Sequence, residues 1–229
     1  MKATLNTEQL EGLRHLDTCA VANAIETFGI RLRNEGYCDA SVRCLFPSLP
    51  PLVGYAVTAK VRCSAPPPDA PRYHDRTDWW NYILTLPAPR VVVLQDVDVS
   101  HGLGSVVGEV HAHIWAALGC IGVVTNGAAR DLPTLEAMPF SVFAGNVAVS
   151  HAYSHIVSVG EPVEIDGLKI SPGDILHGDR HGVLKIPPEI AAEIPAVAAR
   201  IREKEQGLIA LCESGDFTVE RLRAALRST

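Results

Sequence analysis

The feature that most constrains the fold is an alternation of strand-like and helix-like segments between residues 90 and 144. Three short runs, RVVVL at 90–94, IGVVT at 121–125 and SVFA at 141–144, predict strands. The first is continuously apolar, which fits a sheet that is covered on both faces. The segments 106–118 and 132–138 between them predict helices, and Gly119 ends the first. This order predicts parallel strands joined by crossover helices, and therefore an α/β fold.

The flanking segments predict helices at both ends of the chain and an antiparallel part after the parallel one. Residues 146–187 read as short strands broken by the turns IDG, SPGD and GDRHG. Residues 30–52 and the proline-rich stretch 64–72 predict loops. The other predicted elements are a strand at 53–61 and helices at 6–16, 17–28, 78–86 and 188–211, where Pro195 marks a kink or the true first turn, and after Thr218. We expect a single α/β domain over residues 1–229.

Composition and charge exclude several classes of partner. The 229 residues carry a net charge of −6 and no basic cluster, which argues against nucleic acid or an anionic membrane as a partner. No apolar run approaches the roughly 20 residues of a membrane span, and the first residues do not resemble a signal peptide. The six cysteines form no C-x-x-C pair, so we expect reduced thiols and a cytoplasmic location.

Two turns that follow neighbouring parallel strands carry the candidate chemistry. The first contains Gly108, Glu109, Val110 and His111 where a helix opens, and early helical N–H groups bind anions readily. The second presents Arg130 and Asp131 after small residues. Ligands of such sheets bind at the carboxyl ends of the strands. Arginine suits a carboxylate, and paired carboxylates suit Mg²⁺ or Mn²⁺.

A simpler interpretation of the second turn stays open from these residues alone. In that interpretation, Asp131 serves only as the cap of the helix at 132–138, and Arg130 is a solvated charge.

Read together, several motifs resemble one family. These are G-E-V-H at 108–111, I-G-V-V at 121–124, N-G-A-A-R-D at 126–131, F-A-G-N at 143–146, P-G-D-I-L at 172–176 and D-R-H-G-V at 179–183. The chain resembles the RraA-like family, which includes the class II 4-hydroxy-4-methyl-2-oxoglutarate/4-carboxy-4-hydroxy-2-oxoadipate aldolases. The resemblance covers residues 90–187 most firmly.

The resemblance implies a β/β/α swivelling-type fold, a homotrimer or homohexamer with sites at subunit interfaces, and a divalent metal, Mg²⁺ or Mn²⁺. It implies that Asp131 binds the metal, that Arg130 grips the 2-oxo acid and that Glu109 holds a metal-bound water. The segment from Gly108 to His111 then binds the pyruvyl carboxylate through backbone amides. Glu203 and Glu205 are candidates for an acidic residue that reaches a neighbouring subunit's site.

The resemblance predicts an aldolase or 2-oxo acid decarboxylase that releases pyruvate through a metal-stabilised enolate. Two features depart from the family pattern. His111 occupies a position where an apolar residue is expected, and the 64–72 loop with the Trp79–Trp80 pair differs from shorter versions. Both could reshape the pocket, so the natural substrate is not predicted.

Three alternatives compete with the lyase. The main one is a non-catalytic, protein-binding regulator of an RNA-degrading endonuclease, because some family members have that role. The run G-L-G-S-V-V-G at 102–108 suggests a nucleotide-binding site, but its spacing is one residue longer than the G-x-G-x-x-G pattern of such sites. The histidine pairs at 151/155 and 177/181 suggest a zinc site. In strand or turn sequence, however, side chains at this spacing do not converge on one point. Asp179 is expected to shape a turn rather than bind a ligand.

Overall fold

A computed structural model describes residues 4–67 and 76–227 of the chain. Within those residues, the helices are α1 (Thr7–Arg14), α2 (Thr18–Glu26), α3 (Arg76–Leu84), α4 (Glu109–Ala117), α5 (Leu132–Glu136), α6 (Ile194–Glu213) and α7 (Val219–Arg227). The strands are β1 (Arg43–Cys44), β2 (Leu52–Arg62), β3 (Arg90–Asp96), β4 (Ser105–Val107), β5 (Cys120–Ala129), β6 (Ser141–Val147), β7 (His155–Val159), β8 (Val163–Ile165), β9 (Leu168–Ile170), β10 (Ile175–Asp179) and β11 (Gly182–Ile186).

Four parallel strands form the middle of the main sheet, in the order β6-β5-β3-β2. The strand β10 pairs antiparallel with β2 and with β11, and β1 pairs antiparallel with β6 at the other end. The short strand β4 pairs with β5, and β7 pairs with the end of β2. The predicted parallel middle and antiparallel second half are both confirmed.

Alternation along the strands divides the apolar residues between two sides of the sheet. Val57 and Ala59 of β2 pack on the side that α3, α4 and α5 cover, while Leu52 and Ala56 face the opposite side with β8 and β9. On that second side, a Cβ at Gly178 of β10 would lie only 2.9 Å from Phe143 Cζ of β6. Strands from distant positions in the sheet therefore meet, and the mixed α/β fold curls into a nearly closed barrel.

A third apolar cluster joins α1, α2 and α6 to β10 and β11. Asp179 at the end of β10 anchors this assembly, because its Oδ2 accepts the Thr18 N–H at 2.9 Å and its Oδ1 accepts the His181 N–H at 2.8 Å. His177, fully buried, bonds Thr18 Oγ1 at 3.1 Å and the carbonyl of Leu13 at 3.1 Å. Asp179 therefore shapes a turn, as expected, and it also docks the helix α2, which was not predicted.

The helix ends show which local signals were reliable. Asn6 forms a complete capping box with Gln9, and Asp17 caps α2 by accepting the Ala20 N–H. Thr218 Oγ1 accepts the Arg221 N–H at the start of α7. The predicted start of the long helix at 188 is wrong, but the alternative in which Pro195 marks the true first turn is confirmed. The helix α6 begins at Ile194, so Pro195 lies in its first turn, where a missing N–H costs least.

Two predicted boundaries near the candidate site are also wrong. Residues 105–107 form the strand β4 rather than the start of a helix, since they pair with β5 and α4 begins only at Glu109. Residues 126–129, predicted as loop, continue β5 past an irregularity between Thr125 and Ala128. The Thr125 hydroxyl accepts the Gly127 N–H there, which satisfies the backbone where the ladder is interrupted.

Part of the proline-rich loop predicted at 64–72 lies outside the described residues. The expectation that one domain spans residues 1–229 stays a prediction. All six cysteines are free thiols, as expected. In the described part of the chain, no helix is long and apolar enough to cross a membrane.

We expect Asp179→Ala to destabilise the fold by about 2 kcal/mol, because the buried Thr18 amide and the part-buried His181 amide lose a charged acceptor. Burial opposes ionisation of Asp179 and raises its pKa, but the hydrogen bonds from Thr18 and His181 together outweigh burial, so the pKa is lowered. A lowered carboxyl pKa stabilises the fold above the unfolded value of about 4, and the contribution disappears as the pH falls through the folded value. Urea unfolding at pH 7 and pH 3 measures this.

The control is Asp216→Ala, which removes an 81% exposed carboxylate and is expected to cost less than about 0.5 kcal/mol. Equal losses in the two variants at pH 7 would contradict the anchoring role of Asp179.

Candidate functional site

The ends of β4 and β5 bring the two candidate turns together. These strands are parallel, Val107 is paired with Ala129, and the Arg130 N–H donates to the Val107 carbonyl at 3.0 Å. The chain leaves β4 through Gly108 into α4 and leaves β5 through Arg130 into α5. Residues that are 22 positions apart in sequence therefore lie side by side.

Asp131 is held in an unusual backbone conformation at this point. Its φ is +57°, in the left-handed region that residues other than glycine rarely adopt. Its carboxylate makes no capping hydrogen bond to α5; instead Oδ2 accepts the Glu109 N–H at 3.1 Å. In the described part of the chain, no hydrogen bond to the other oxygen, Oδ1, is recorded. The simpler interpretation, in which this side chain only caps α5, is wrong.

Gly108 leaves room for the close approach of these groups. A Cβ at this position would lie 2.6 Å from Asp131 Oδ2 and 3.2 Å from Arg130 Cγ. The φ of Gly108 is −151°, which any residue adopts, so the need for glycine is one of space and not of backbone freedom.

Arg130 is fixed between Asp131 and a histidine that the sequence analysis did not place here. Its Nε lies 3.4 Å from Asp131 Oδ2, and its Nη1 lies 3.4 Å from His151 Nδ1. The Nε atom is buried and has no hydrogen-bond acceptor among the described residues, since the Asp131 contact lacks hydrogen-bond geometry. The side chain is 31% exposed, so Arg130 is not a freely solvated charge.

The first turn of α4 presents charge and unpaired amides beside this pair. The Glu109 side chain is exposed, and no partner for its carboxylate is recorded in the described segments. The N–H groups of Val110 and His111 have no acceptor within the helix, as is general for a first turn. Gly108 provides no side-chain cap for them.

His111 turns away from solvent and is neutral. Its ring stacks on Trp115 with centroids 5.5 Å apart. Burial, together with electrostatic repulsion from neighbours that include Arg76 and Arg130, lowers the pKa of His111 to about 4. At neutral pH this imidazole therefore adds no charge beside Arg130.

Two hollows flank Arg130. One is a shallow depression of about 400 Å³ bordered by Arg130, Asp131, Leu132 and the stretch 147–149. The other is a deeper cavity of about 340 Å³ whose walls include His111, Trp115, Trp80 and His151. Since the His151 ring borders the cavity and contacts Arg130, the two regions adjoin. Sequence reasoning missed the cavity, although it noted the tryptophan pair.

A second cluster of metal-ligand types lies at Cys63, Asp96 and Asp98, all buried. Both carboxylates are already engaged. Asp96 accepts the N–H groups of Asp98 and Gly102, and Asp98 accepts those of Cys63 and Ser64 as well as the Ser64 hydroxyl. Burial raises the pKa of the Cys63 thiol to about 11, which disfavours the thiolate that binds metals. These contacts organise the turn after β3, a structural task.

A family model described as RraA-like, Aldolase/RraA, matches residues 18–184. The chain belongs to the RraA-like family. The match includes both turns and the strands that position them, and it confirms the resemblance inferred from the motifs.

Solved structures support the same fold. An uncharacterized protein from Pseudomonas syringae pv. tomato str. DC3000 is 26% identical, with a TM-score of 0.74 over 98% of this chain and 96% of that one. Streptomyces coelicolor RraAS2, described as an unusual member of the RNase ES inhibitor RraA protein family, has a TM-score of 0.70 at 19% identity, over 89% of this chain and 96% of that one. The second likeness concerns the fold alone.

Among curated proteins, a Halalkalibacterium halodurans protein named "Putative 4-hydroxy-4-methyl-2-oxoglutarate aldolase" is 35% identical over 71 residues, which is 31% of this chain and 34% of that protein. The matches to curated relatives cover between 23% and 52% of the relative's own length. The family thus includes both aldolase-named and regulator-named proteins.

Glu203 and Glu205 lie on exposed turns of α6, which packs on α1, α2 and α7. The helix α4 packs on β5 and α5. A role for either glutamate in a neighbouring subunit's site stays a prediction.

We expect Asp98→Ala to lower the free energy of unfolding by about 2 kcal/mol, because two amides and a hydroxyl lose a buried acceptor. The matched variant Ser64→Ala removes one donor and keeps the carboxylate, so its loss is expected to stay below about 1 kcal/mol. Urea unfolding with and without Zn²⁺ measures both. A midpoint that Zn²⁺ raises in the parent protein but not in Asp98→Ala would make this cluster a metal site instead.

Proposed function

We propose that this protein is a cytoplasmic, divalent-metal-dependent carbon–carbon lyase that cleaves a small 2-oxo acid and releases pyruvate. The observation that carries the proposal is the Asp131 carboxylate, held between the Glu109 amide and the Arg130 guanidinium in a space that a Cβ at position 108 would partly fill. The family membership and the aldolase-named relative support it.

The donor groups fit a hard cation. Asp131 offers its Oδ1 atom, and Glu109, the first residue of α4, offers a second carboxylate. Carboxylate oxygens are the ligands that Mg²⁺ and Mn²⁺ prefer, so we expect one of these metals. Asp131 would hold the metal directly and Glu109 through water. When bound, the metal supplies Lewis-acid polarisation of the oxo group.

Arg130 binds and stabilises the reacting end of the substrate in this proposal. Contacts with Asp131 and His151 restrain its guanidinium, so little reorganisation is needed when a 2-oxo acid arrives. The amides of Val110 and His111 would bind the carboxylate. As the bond between C3 and C4 breaks, negative charge grows on the C2 oxygen, and Arg130 is placed to stabilise that enolate.

Glu109 would assist proton transfer during the reaction. Its exposed carboxylate can orient a water molecule that removes the proton from the C4 hydroxyl and returns one to C3 of the pyruvyl unit. The same enolate forms when oxaloacetate loses CO₂, so decarboxylation is a natural second activity.

We also propose a homotrimer or homohexamer. Large apolar side chains around the site are exposed, among them Val110, Val147 and Val149. Exposed apolar groups at one edge of a protein are typical of an association surface.

The alternative is a non-catalytic regulator of an RNA-degrading endonuclease, which the regulator-named structural neighbour keeps open. A binding module has no physical need for the arrangement of Gly108, Arg130 and Asp131. Metal dependence separates the two, because a binding module is indifferent to chelator.

We expect Arg130→Ala to reduce pyruvate release from oxaloacetate and from 4-hydroxy-4-methyl-2-oxoglutarate at least roughly 100-fold, since the enolate loses its cation. Chelator should abolish turnover in the parent protein and added Mn²⁺ should restore it. A coupled assay for pyruvate measures both. Arg33→Ala, which removes an 81% exposed arginine, serves as the control.

Metal-independent turnover, or none above the background of free metal in a folded protein, would contradict the lyase and favour the regulator.

We expect Gly108→Ala to fold normally and to lose roughly 100-fold in the same assay. The new Cβ would displace the free end of the Asp131 side chain, and a shift of about 1 Å in a reacting group is enough for such a loss. The matched control is Gly207→Ala, because a Cβ there meets nothing within 4 Å. Circular dichroism checks folding, and full activity in Gly108→Ala would refute the positioning of Asp131.

A further inference from the structure

The cavity beside Arg130 is larger than a small aliphatic 2-oxo acid requires. Its volume is about 340 Å³, whereas a cavity of about 150 Å³ already holds a benzene molecule. Pyruvate at Arg130 would leave this space unused. The space therefore fits the half of the substrate that leaves.

Aromatic side chains form its walls. Trp115 is buried and carries the stacked His111 ring on one side, and the half-buried Trp80 of α3 faces the cavity with Tyr153 at the rim. Planar walls of this kind bind an aromatic ring by stacked or edge-to-face contact.

The charges at the cavity favour an anionic ligand. Among the described residues that line it, no carboxylate is present and Arg76 is a permanent cation. An aromatic ring attached to a carboxylate would therefore meet both an apolar wall and a favourable potential.

The cavity connects with the reacting end through His151. This ring lines the cavity, and its Nδ1 lies 3.4 Å from Arg130 Nη1. A ligand with its oxo acid at Arg130 would project its chain past His151 toward Trp80.

We propose that the 340 Å³ cavity binds an aromatic group of the substrate, so that the preferred substrates are 2-oxo acids with an aryl substituent at C4. This inference rests on the proposed lyase function. In a 4-aryl-4-hydroxy-2-oxobutanoate, the C3–C4 bond breaks, the C4 hydroxyl proton leaves, and C3 gains a proton. The products are pyruvate and an aromatic aldehyde, and no oxidant or reductant is needed.

Calorimetry with two inert ligands tests the cavity without turnover. Neither 2-oxo-4-phenylbutanoate nor 2-oxobutanoate has the C4 hydroxyl that cleavage requires. With Mn²⁺ present, the phenyl compound is expected to bind at least roughly tenfold more tightly, as burial of an aromatic ring predicts. Arg130→Ala should weaken both ligands.

Three variants test whether the tighter binding of the phenyl compound depends on the cavity. Trp80→Ala is expected to remove most of the tenfold advantage while the binding of 2-oxobutanoate changes less than about twofold. Its neighbour Trp79, 2% exposed, remains as the core anchor of α3. Trp80→Phe keeps an aromatic wall and should retain most of the advantage, which covers the case of misfolding in the alanine variant. Tyr37→Ala, which removes an exposed aromatic outside the cavity lining, should change neither ligand.

Equal affinity for the two ligands, no binding of either, or an advantage that persists in folded Trp80→Ala would overturn the cavity proposal. Pyruvate release from 4-hydroxy-2-oxo-4-phenylbutanoate is measured in parallel. A Trp80-dependent binding advantage without turnover would uphold the cavity and refute the lyase. Turnover of 4-hydroxy-4-methyl-2-oxoglutarate without any preference for the phenyl ligand would uphold the lyase and refute the cavity proposal.

Discussion

Parallel pairing of β5 with its neighbours is the constraint on which the candidate site depends. The strand pairs with β3 over its first half, with β6 along most of its length and with β4 near its end, so the chain must leave β4 and β5 at the same edge of the sheet. That register places Gly108 against Arg130 and Asp131. The left-handed conformation of Asp131 then directs its carboxylate to the start of α4 rather than into α5. A shift of the β4–β5 register would separate these groups without changing any of them.

Much of this arrangement could be predicted from local patterns. The continuous apolar run at 90–94 identified a strand covered on both faces, and the order of segments identified the crossovers, because periodicity and glycine stops act within a few residues. The adjacency of Glu109 with Arg130 and Asp131 followed from the rule that parallel strands end at one edge. The boundaries at 105–108 and 126–129 were the weak points. Ser105, Val106 and Val107 have the β-branched character of a strand, but three residues are too few to outweigh the helix that follows them.

The remaining features depend on contacts that no local pattern encodes. His151 reaches Arg130 because the turn after β6 returns along β4, where the Ser105 N–H donates to the Ser150 carbonyl at 2.8 Å. The cavity combines residues from β2, α3, α4 and the segment 151–156, which meet only in three dimensions. The cluster of Cys63, Asp96 and Asp98 shows the same limit. Its residue types match a metal site, yet its hydrogen bonds from four backbone amides give it a structural role, and only coordinates distinguish the two.

The proposed site therefore consists of two parts with different physical origins. The part that would bind the oxo acid is made by backbone register, a glycine and adjacent residues of two turns, so little of it can vary without loss. The part that would choose the leaving half is made by side chains of α3 and the 151–156 segment, which can vary while the first part is kept. His111 belongs to both. A charged imidazole there would compete with Arg130 for an anionic substrate, and burial against Trp115 prevents it by lowering the pKa of His111 to about 4. His111 therefore leaves the positive charge at the reacting end to Arg130, while the same ring lines the cavity that would select the aryl group.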